Sequence, residues 1–334
     1  MTMARRVAAL LVALAAPAVL SACGGVDLAK VTYDRTTVPP QPGSGGTGPV
    51  PEGQVDVPEL AVEKLRTIDT CELLKGEAVT QLGTPEEPRG SRPENCSVTV
   101  SDPAGKELHV SVRIGERVYD SRDRATGGLD GLPLWETRQE DACNETVLTD
   151  ESAKIGISLL VTYADGEPCG AARKALAKII QRSKSDPPHV QVPDGSLRAT
   201  DPCSVVPRKL ATSMLGQGYK TDATLLYNCT ARSQDLDKGQ IEVGFGFSYP
   251  PLESGESKRV KLTGSVRAIQ RYYTPNVESC EIEWEHKKFS GPTARDGETV
   301  KVEFSNLGGK GDALDACRKA KQAAKAVLGE LPGR

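Results

Sequence analysis

The amino-acid sequence predicts an α+β protein of two tandem homologous domains, each an antiparallel sheet with flanking helices and two disulfides, behind an export segment. Three observations predict it. The string "LRTIDTC" at 65–71 returns as "LRATDPC" at 197–203. The landmarks after it recur in the same order in both halves. Of nine cysteines, all but Cys23 fall within the repeated region.

The first element is the export segment, residues 1–22. Arg5 and Arg6 precede an uncharged apolar run from Val7 to Leu20, which is shorter than the ~20 residues a membrane-spanning helix needs. A basic start, an apolar middle and small residues at the end make a secretory signal. It ends Leu20-Ser21-Ala22-Cys23, the pattern of a lipobox, in which the thiol of Cys23 takes a diacylglyceryl group, with palmitate labelling expected, and becomes the new N-terminus. Residues 23–59 follow, rich in Pro and Gly around "VPPQPGSGGTGPVPEGQVDVP". No apolar face forms there, so the segment reads as a tether with a reach on the order of 35 Å as a flexible coil.

The first domain, 60–184, and the second, 194–334, are joined by a Pro-bearing linker at 185–193. Each opens on an aspartate suited to cap a helix, Asp69 and Asp201, and Gly83 and Gly216 stand where that helix should stop. Asn95-Cys96-Ser97 then matches Asn228-Cys229-Thr230. Clean period-2 strands come next, with Leu108, Val110, Val112 and Ile114 on one face in the first copy and Ile241, Val243, Phe245 and Phe247 in the second. Leu129-Asp130-Gly131 matches Leu262-Thr263-Gly264 in the variable middle. Two more strands and a closing helix finish each copy. The helix stripe is Ala172, Leu176, Ile179 and Ile180 after Cys169, and Ala320, Ala324, Val327 and Leu328 after Cys317, each with Lys and Arg on the opposite side.

An even set of cysteines in an exported chain implies disulfides. Hairpin geometry selects the pairs. Cys143 opens a strand, the chain turns near Asp150, and a second strand returns toward Cys169; Cys280 and Cys317 stand likewise. That leaves Cys71 with Cys96 and Cys203 with Cys229. Zinc is the competing use of these thiols, but no CxxC occurs and none of the three histidines has ligand spacing to a cysteine.

The formal charge is −3, and with no Lys/Arg cluster a nucleic-acid partner is not expected. A GxSxG nucleophile and a Walker loop are both missing. No catalytic, cofactor or metal residue is therefore assigned. Glu281, Glu283 and Glu285 share a strand face. They read as a solvated row, with a cation site or acid pair as the alternative. The candidate ligand residues are aromatic: Trp135, Tyr272, Tyr273 and Trp284. For the tryptophans, core packing is the competing role.

The order lipobox, Pro/Gly tether, "DTC" or "DPC" before a helix ending in Leu-Gly, then "NCS" or "NCT" before alternating strands, resembles a group of actinobacterial cell-surface lipoproteins built on a domain of unknown function. The stretch "DPCSVVPRKLATSMLG" carries most of the likeness. More loosely, the two-disulfide layout is similar to extracytoplasmic sensor domains of mycobacterial receptor serine/threonine kinases. The resemblance implies a cell-surface location and no known catalytic residues. The expectation is a non-enzymatic lipoprotein at the outer face of the cell membrane, held by its lipid and binding an unidentified protein or small molecule. An envelope-polymer hydrolase and a transporter's solute-binding lipoprotein are the alternatives.

Overall fold

The computed structural model describes residues 47–333 apart from 56, 165, 274–276, 292–293 and 309–312. The export segment, the lipobox with Cys23 and the tether as far as residue 46 lie outside the described residues.

In the first half, short helices α1 (Val62–Leu65), α2 (Thr70–Leu73) and α3 (Glu77–Thr80) lead into strands β1 (Thr84–Pro85), β2 (Arg89–Arg92), β3 (Asn95–Ser101) and β4 (Glu107–Arg117). The middle supplies β5 (Gly127–Leu129) and β6 (Leu132–Arg138). Strands β7 (Ala142–Asp150) and β8 (Ile155–Thr162) follow, then helix α4 (Pro168–Ser185). The second half runs α5 (Arg208–Leu215), β9 (Lys220–Leu225), β10 (Asn228–Arg232), β11 (Gln240–Gly246), β12 (Lys258–Thr263), β13 (Val266–Tyr273), β14 (Glu278–Lys287), β15 (Glu298–Asn306) and α6 (Ala313–Glu330).

Both sheets are antiparallel and repeat one topology. The first has the order β1-β3-β4-β8-β7-β6-β5, with β2 also pairing β3; the second is β12-β13-β14-β15-β11-β10-β9. Matching β2 with β9 and β8 with β15 superposes the two orders. The variable middle is thus an extra hairpin in each copy, turning at Asp130-Gly131 (φ 51° and 80°) and at Gly264 (φ 41°), positions that need left-handed backbone.

Each closing helix covers one sheet face. Ala172, Leu176, Ile179 and Ile180 on α4, and Ala320, Ala324, Val327 and Leu328 on α6, are buried. Beneath them lie the alternate residues of the central strands, Val110 and Val112 with Ile157 and Leu159 in the first half, Ile241 and Val243 with Val302 and Phe304 in the second. Alternation puts one residue in two on this face, which is why the period-2 pattern was readable as a half-buried sheet. Four bridges join Cys71 to Cys96, Cys143 to Cys169, Cys203 to Cys229 and Cys280 to Cys317 across Cα separations of 5.1, 5.0, 5.1 and 4.9 Å. Loops of 25, 26, 26 and 37 residues are closed by them, worth roughly 3 to 4 kcal/mol each in the chain-entropy picture.

Three local expectations are corrected. The helix after Asp69 is not continuous to Gly83: Gly76, at φ 64°, breaks it into α2 and α3. Asp69 does cap α2, its carboxylate accepting from the amides of Cys71 (3.1 Å) and Glu72 (3.2 Å). Asp201 accepts from the Cys203 amide (3.2 Å), but Cys203 sits in a turn and α5 starts only at Arg208. Pro207 is the reason, since it drives the preceding residue out of the helical region. Finally, the stretch assigned to the tether up to residue 59 lies on the first domain from residue 47. Gly48 and Gly128 exchange backbone hydrogen bonds of 2.9 Å, the Val55 amide donates to Glu151 (3.2 Å), and Arg122 reaches the Gly53 carbonyl.

The halves meet through the repeated motif itself. Arg66, 5% exposed, donates from Nη2 to Asp201 Oδ1 (3.0 Å) and from Nε to the Leu226 carbonyl (2.9 Å). Its counterpart Arg198 donates from Nη2 to the Ile68 carbonyl (3.0 Å), and the Tyr227 hydroxyl donates to the Arg66 carbonyl (2.6 Å). The linker lies along the first motif, the amide of Asp69 donating to the Pro188 carbonyl (2.6 Å) and that of Val190 to the Thr67 carbonyl (2.9 Å).

Candidate functional site

A cleft of about 970 Å³ opens beside this boundary, near the upper end of the 300–1,000 Å³ typical of ligand sites. Its floor is the face of the second sheet turned away from α6. There β11 reads Val-Gly-Phe-Gly: Val243 and Phe245 enter the core, while Gly244 and Gly246 lie on the cleft face and make room for the side chains of Asn228, Lys301 and Thr299. A Cβ on Gly244 would meet Asn228 Nδ2 at 3.1 Å, and one on Gly246 would meet Thr299 Oγ1 at closer than a normal contact.

On the floor, Arg271 Nη1 donates to Glu281 Oε1 (2.6 Å) and Glu283 Oε2 (2.7 Å). The Lys301 ammonium lies 3.8 Å from both Glu242 and Glu281. Burial holds the Glu281 carboxyl above its ordinary range, the bond from Arg271 offsetting only part of the rise. The opposite wall comes from the first half. Arg113 pairs with Glu116 (2.8 Å) and Arg92 stands 3.9 Å from Glu94; burial raises the Glu94 carboxyl as well.

The segment 247–252 forms the lip. Ser248 Oγ donates to the Ser91 carbonyl (3.0 Å), and Arg295 donates to the Gly90 carbonyl (3.2 Å) and the Tyr249 hydroxyl (3.0 Å). The contacts to Ser91 and Gly90 reach across the boundary to strand β2. The Arg295 guanidinium also sits 5.6 Å from the centre of the Tyr249 ring, in cation–π range. A smaller cavity of about 350 Å³ continues past Arg92 and Phe247 toward Asp69 and Arg198.

The aromatic candidates do not gather at this cleft. Trp284 is fully buried under α6, because it lies on the same strand face as Cys280 and Ile282; the ligand role proposed for it is withdrawn. Trp135 is 8% exposed and packs with Val118 and Leu148 on the far face of the first sheet, beneath Val55. Tyr272 packs against the core and Tyr273 is 44% exposed on the other face of its strand. Of the glutamate row, Glu281 and Glu283 are clamped by Arg271, which occupies the place a cation would take, and Glu285 faces solvent.

No histidine lines the cleft. His109 contacts Thr99 Oγ1 (3.3 Å), His189 contacts Thr67 Oγ1 (2.9 Å), and His286 Nε2 contacts the Gly195 carbonyl (2.8 Å). Among the described residues, the grouping whose ligand atoms lie close enough to share an ion is Glu136, Cys143 and Cys169, and both sulfurs are committed to a disulfide. Sequence reasoning missed Arg92, Arg113, Tyr249 and the paired glycines. The one readable signal was glycine at alternate positions in a strand, which marks close backbone approach.

No protein-family model and no curated protein matches the chain. Among solved structures, the di-domain ARO/CYC BexL from the BE-7585A biosynthetic pathway aligns over 80% of this chain and 92% of its own, at 13% identity and a TM-score of 0.14. At that score the likeness bears on neither fold nor function.

Proposed function

We propose that this chain is an extracytoplasmic binding protein, anchored to the cell membrane through a lipidated Cys23, whose ligand occupies the cleft between its two halves in a non-enzymatic sensor or accessory role. The observation that carries the reading is the cleft itself: a ligand-sized space at the junction of two repeats, with convergent charged groups and no paired nucleophile and base among its lining residues. Four disulfides support an oxidising compartment. Two antiparallel sheets argue against the parallel α/β lobes of a transporter's solute-binding lipoprotein.

Two measurements test it. Cys23→Ala should abolish palmitate labelling and release the chain from the membrane fraction; equal retention overturns the anchor. Native mass spectrometry of the chain isolated from its own membranes should show a non-covalent adduct. Gly244→Phe, which fills the floor, should lose that adduct without lowering the unfolding midpoint by more than a few degrees. A wild-type chain with no adduct, or an adduct indifferent to Gly244→Phe, overturns the cleft.

A further inference from the structure

The cleft's two kinds of charge differ in how far they reach solvent. The acids are recessed: the side chains of Glu94, Glu116 and Glu283 are 23%, 29% and 20% exposed. The two cations of the facing wall are not, Arg92 at 67% and Arg113 at 56%. Among the described residues Arg92 makes no hydrogen-bond-length ion pair, the Glu94 carboxylate standing 3.9 Å away. Arg295 adds a third guanidinium at the lip. A molecule approaching this mouth therefore meets positive charge first, on a chain whose formal charge is −3.

Apolar surface collects at the same mouth. Leu225, Tyr249 and Leu252 are 43%, 47% and 57% exposed, and all three line the cleft. Exposed apolar residues scattered singly need no explanation, but a cluster beside a cavity marks a binding surface. Tyr249 is held by Arg295 and Leu252 by Arg271, which donates from Nη2 to the Leu252 carbonyl (2.7 Å). The patch is therefore ordered before any ligand arrives, which lowers the entropic cost of binding.

We propose that the ligand is an anionic amphiphile: a single lipid molecule whose carboxylate or phosphate head is met by Arg92 and Arg113 and whose chain lies on Leu225, Tyr249 and Leu252. The assignment rests on the cleft reading above and adds the chemistry of the occupant. Guanidinium groups suit such a head because their forked donors match two oxygens of a carboxylate or phosphate. The floor beneath, with its Arg271–Glu283 pair and Lys301, is polar, so the chain lies along the apolar rim.

The test uses the full chain carrying Cys23→Ala, which removes the anchor's own acyl groups from the assay, titrated with a dansyl-labelled undecanoic acid and with its methyl ester. One site is expected, with the ester bound at least tenfold more weakly. The double change Arg92→Ser and Arg113→Ser should weaken the acid tenfold or more and leave the ester unchanged. Leu225→Ser with Leu252→Ser should weaken both, and Leu314→Ser, at a residue 80% exposed and outside the cleft, should alter neither. Equal binding of acid and ester overturns the proposal, as does displacement of the probe by inorganic phosphate or an acidic peptide at the concentration of the probe. Probe binding untouched by the cleft substitutions overturns it too. A chain that ignores the probe yet keeps its membrane-derived adduct removes the amphiphile and spares the cleft; absence of both removes both.

Discussion

Glu145 is a residue where the first half departs from its own repeat. It lies on the helix-facing side of β7, wholly buried, with Arg173 Nε of α4 at 3.4 Å. Arg173 also bonds Glu136, the residue opposite Glu145 across the β6–β7 ladder. One guanidinium thus serves two carboxylates, and burial pushes Glu145 up from 4.5 to about 8. Two places after the equivalent cysteine, the second half has Ile282, likewise buried, with no charge to desolvate. Because the folded pKa is raised, the folded chain holds a proton that the unfolded chain has released between pH 4.5 and about 8. The stabilisation is complete below the lower value and is lost as pH rises through the upper one. Glu145→Gln removes this dependence. Its unfolding free energy relative to wild type should climb between pH 5 and pH 8 by up to roughly 3 kcal/mol. A constant difference across that range in denaturant titrations refutes the protonated state.

At the scale of elements, the stretch at 47–58 shows how composition misleads. Its Pro and Gly content forbids a helix or a packed strand, and from that a free tether follows. Docking instead comes from the partner: Gly127 and Gly128 on the edge strand β5 carry no side chain, so the stretch lies directly on the backbone. A Cβ on Gly128 would fall 2.4 Å from the Pro49 carbonyl and 2.9 Å from Pro51 Cδ. Gly128→Val should therefore detach residues 47–55 while the sheet persists. Val55 would leave Trp135, whose fluorescence should shift to the red, whereas buried Trp284 supplies an unchanged background. An unshifted spectrum with unchanged amide exchange at Gly48 would place the strap's hold elsewhere. The contrast with the rest of the fold is physical. Helix stripes and strand alternation were legible because each reports one face buried within a single element. The break at Gly76, the late start of α5 and the cleft were not, because they depend on one glycine's φ, on a proline's effect upon its neighbour, and on surfaces far apart in sequence.

At the scale of the whole molecule, the motif that revealed the duplication also joins its products. Arg66 of the first copy grips Asp201 of the second, and Arg198 of the second grips the carbonyl of Ile68, next to Asp69, in the first. The equivalent arginines thus each reach the other copy's repeated motif, though through different acceptors, an approximate version of the contact that two identical subunits make across a two-fold axis. If that contact is sufficient, the tandem should behave as a dimer whose subunits are tied by a linker, with the linker dispensable for holding the halves together. A protease site inserted between Pro193 and Asp194, both exposed, makes this measurable. After cleavage at micromolar concentration the halves should coelute in gel filtration and unfold in one transition. Arg66→Met in the cut chain should separate them, since it strands the buried Leu226 carbonyl at a cost of about 1–3 kcal/mol and removes the bond to Asp201. In the uncut chain the same change should lower stability by a similar amount but leave one transition, because the linker keeps the halves at high effective concentration. Halves that part on cleavage without any substitution would show that the linker maintains the cleft. Loss of the membrane-derived adduct would then accompany the cut, whereas a self-sufficient interface keeps the adduct in the nicked protein.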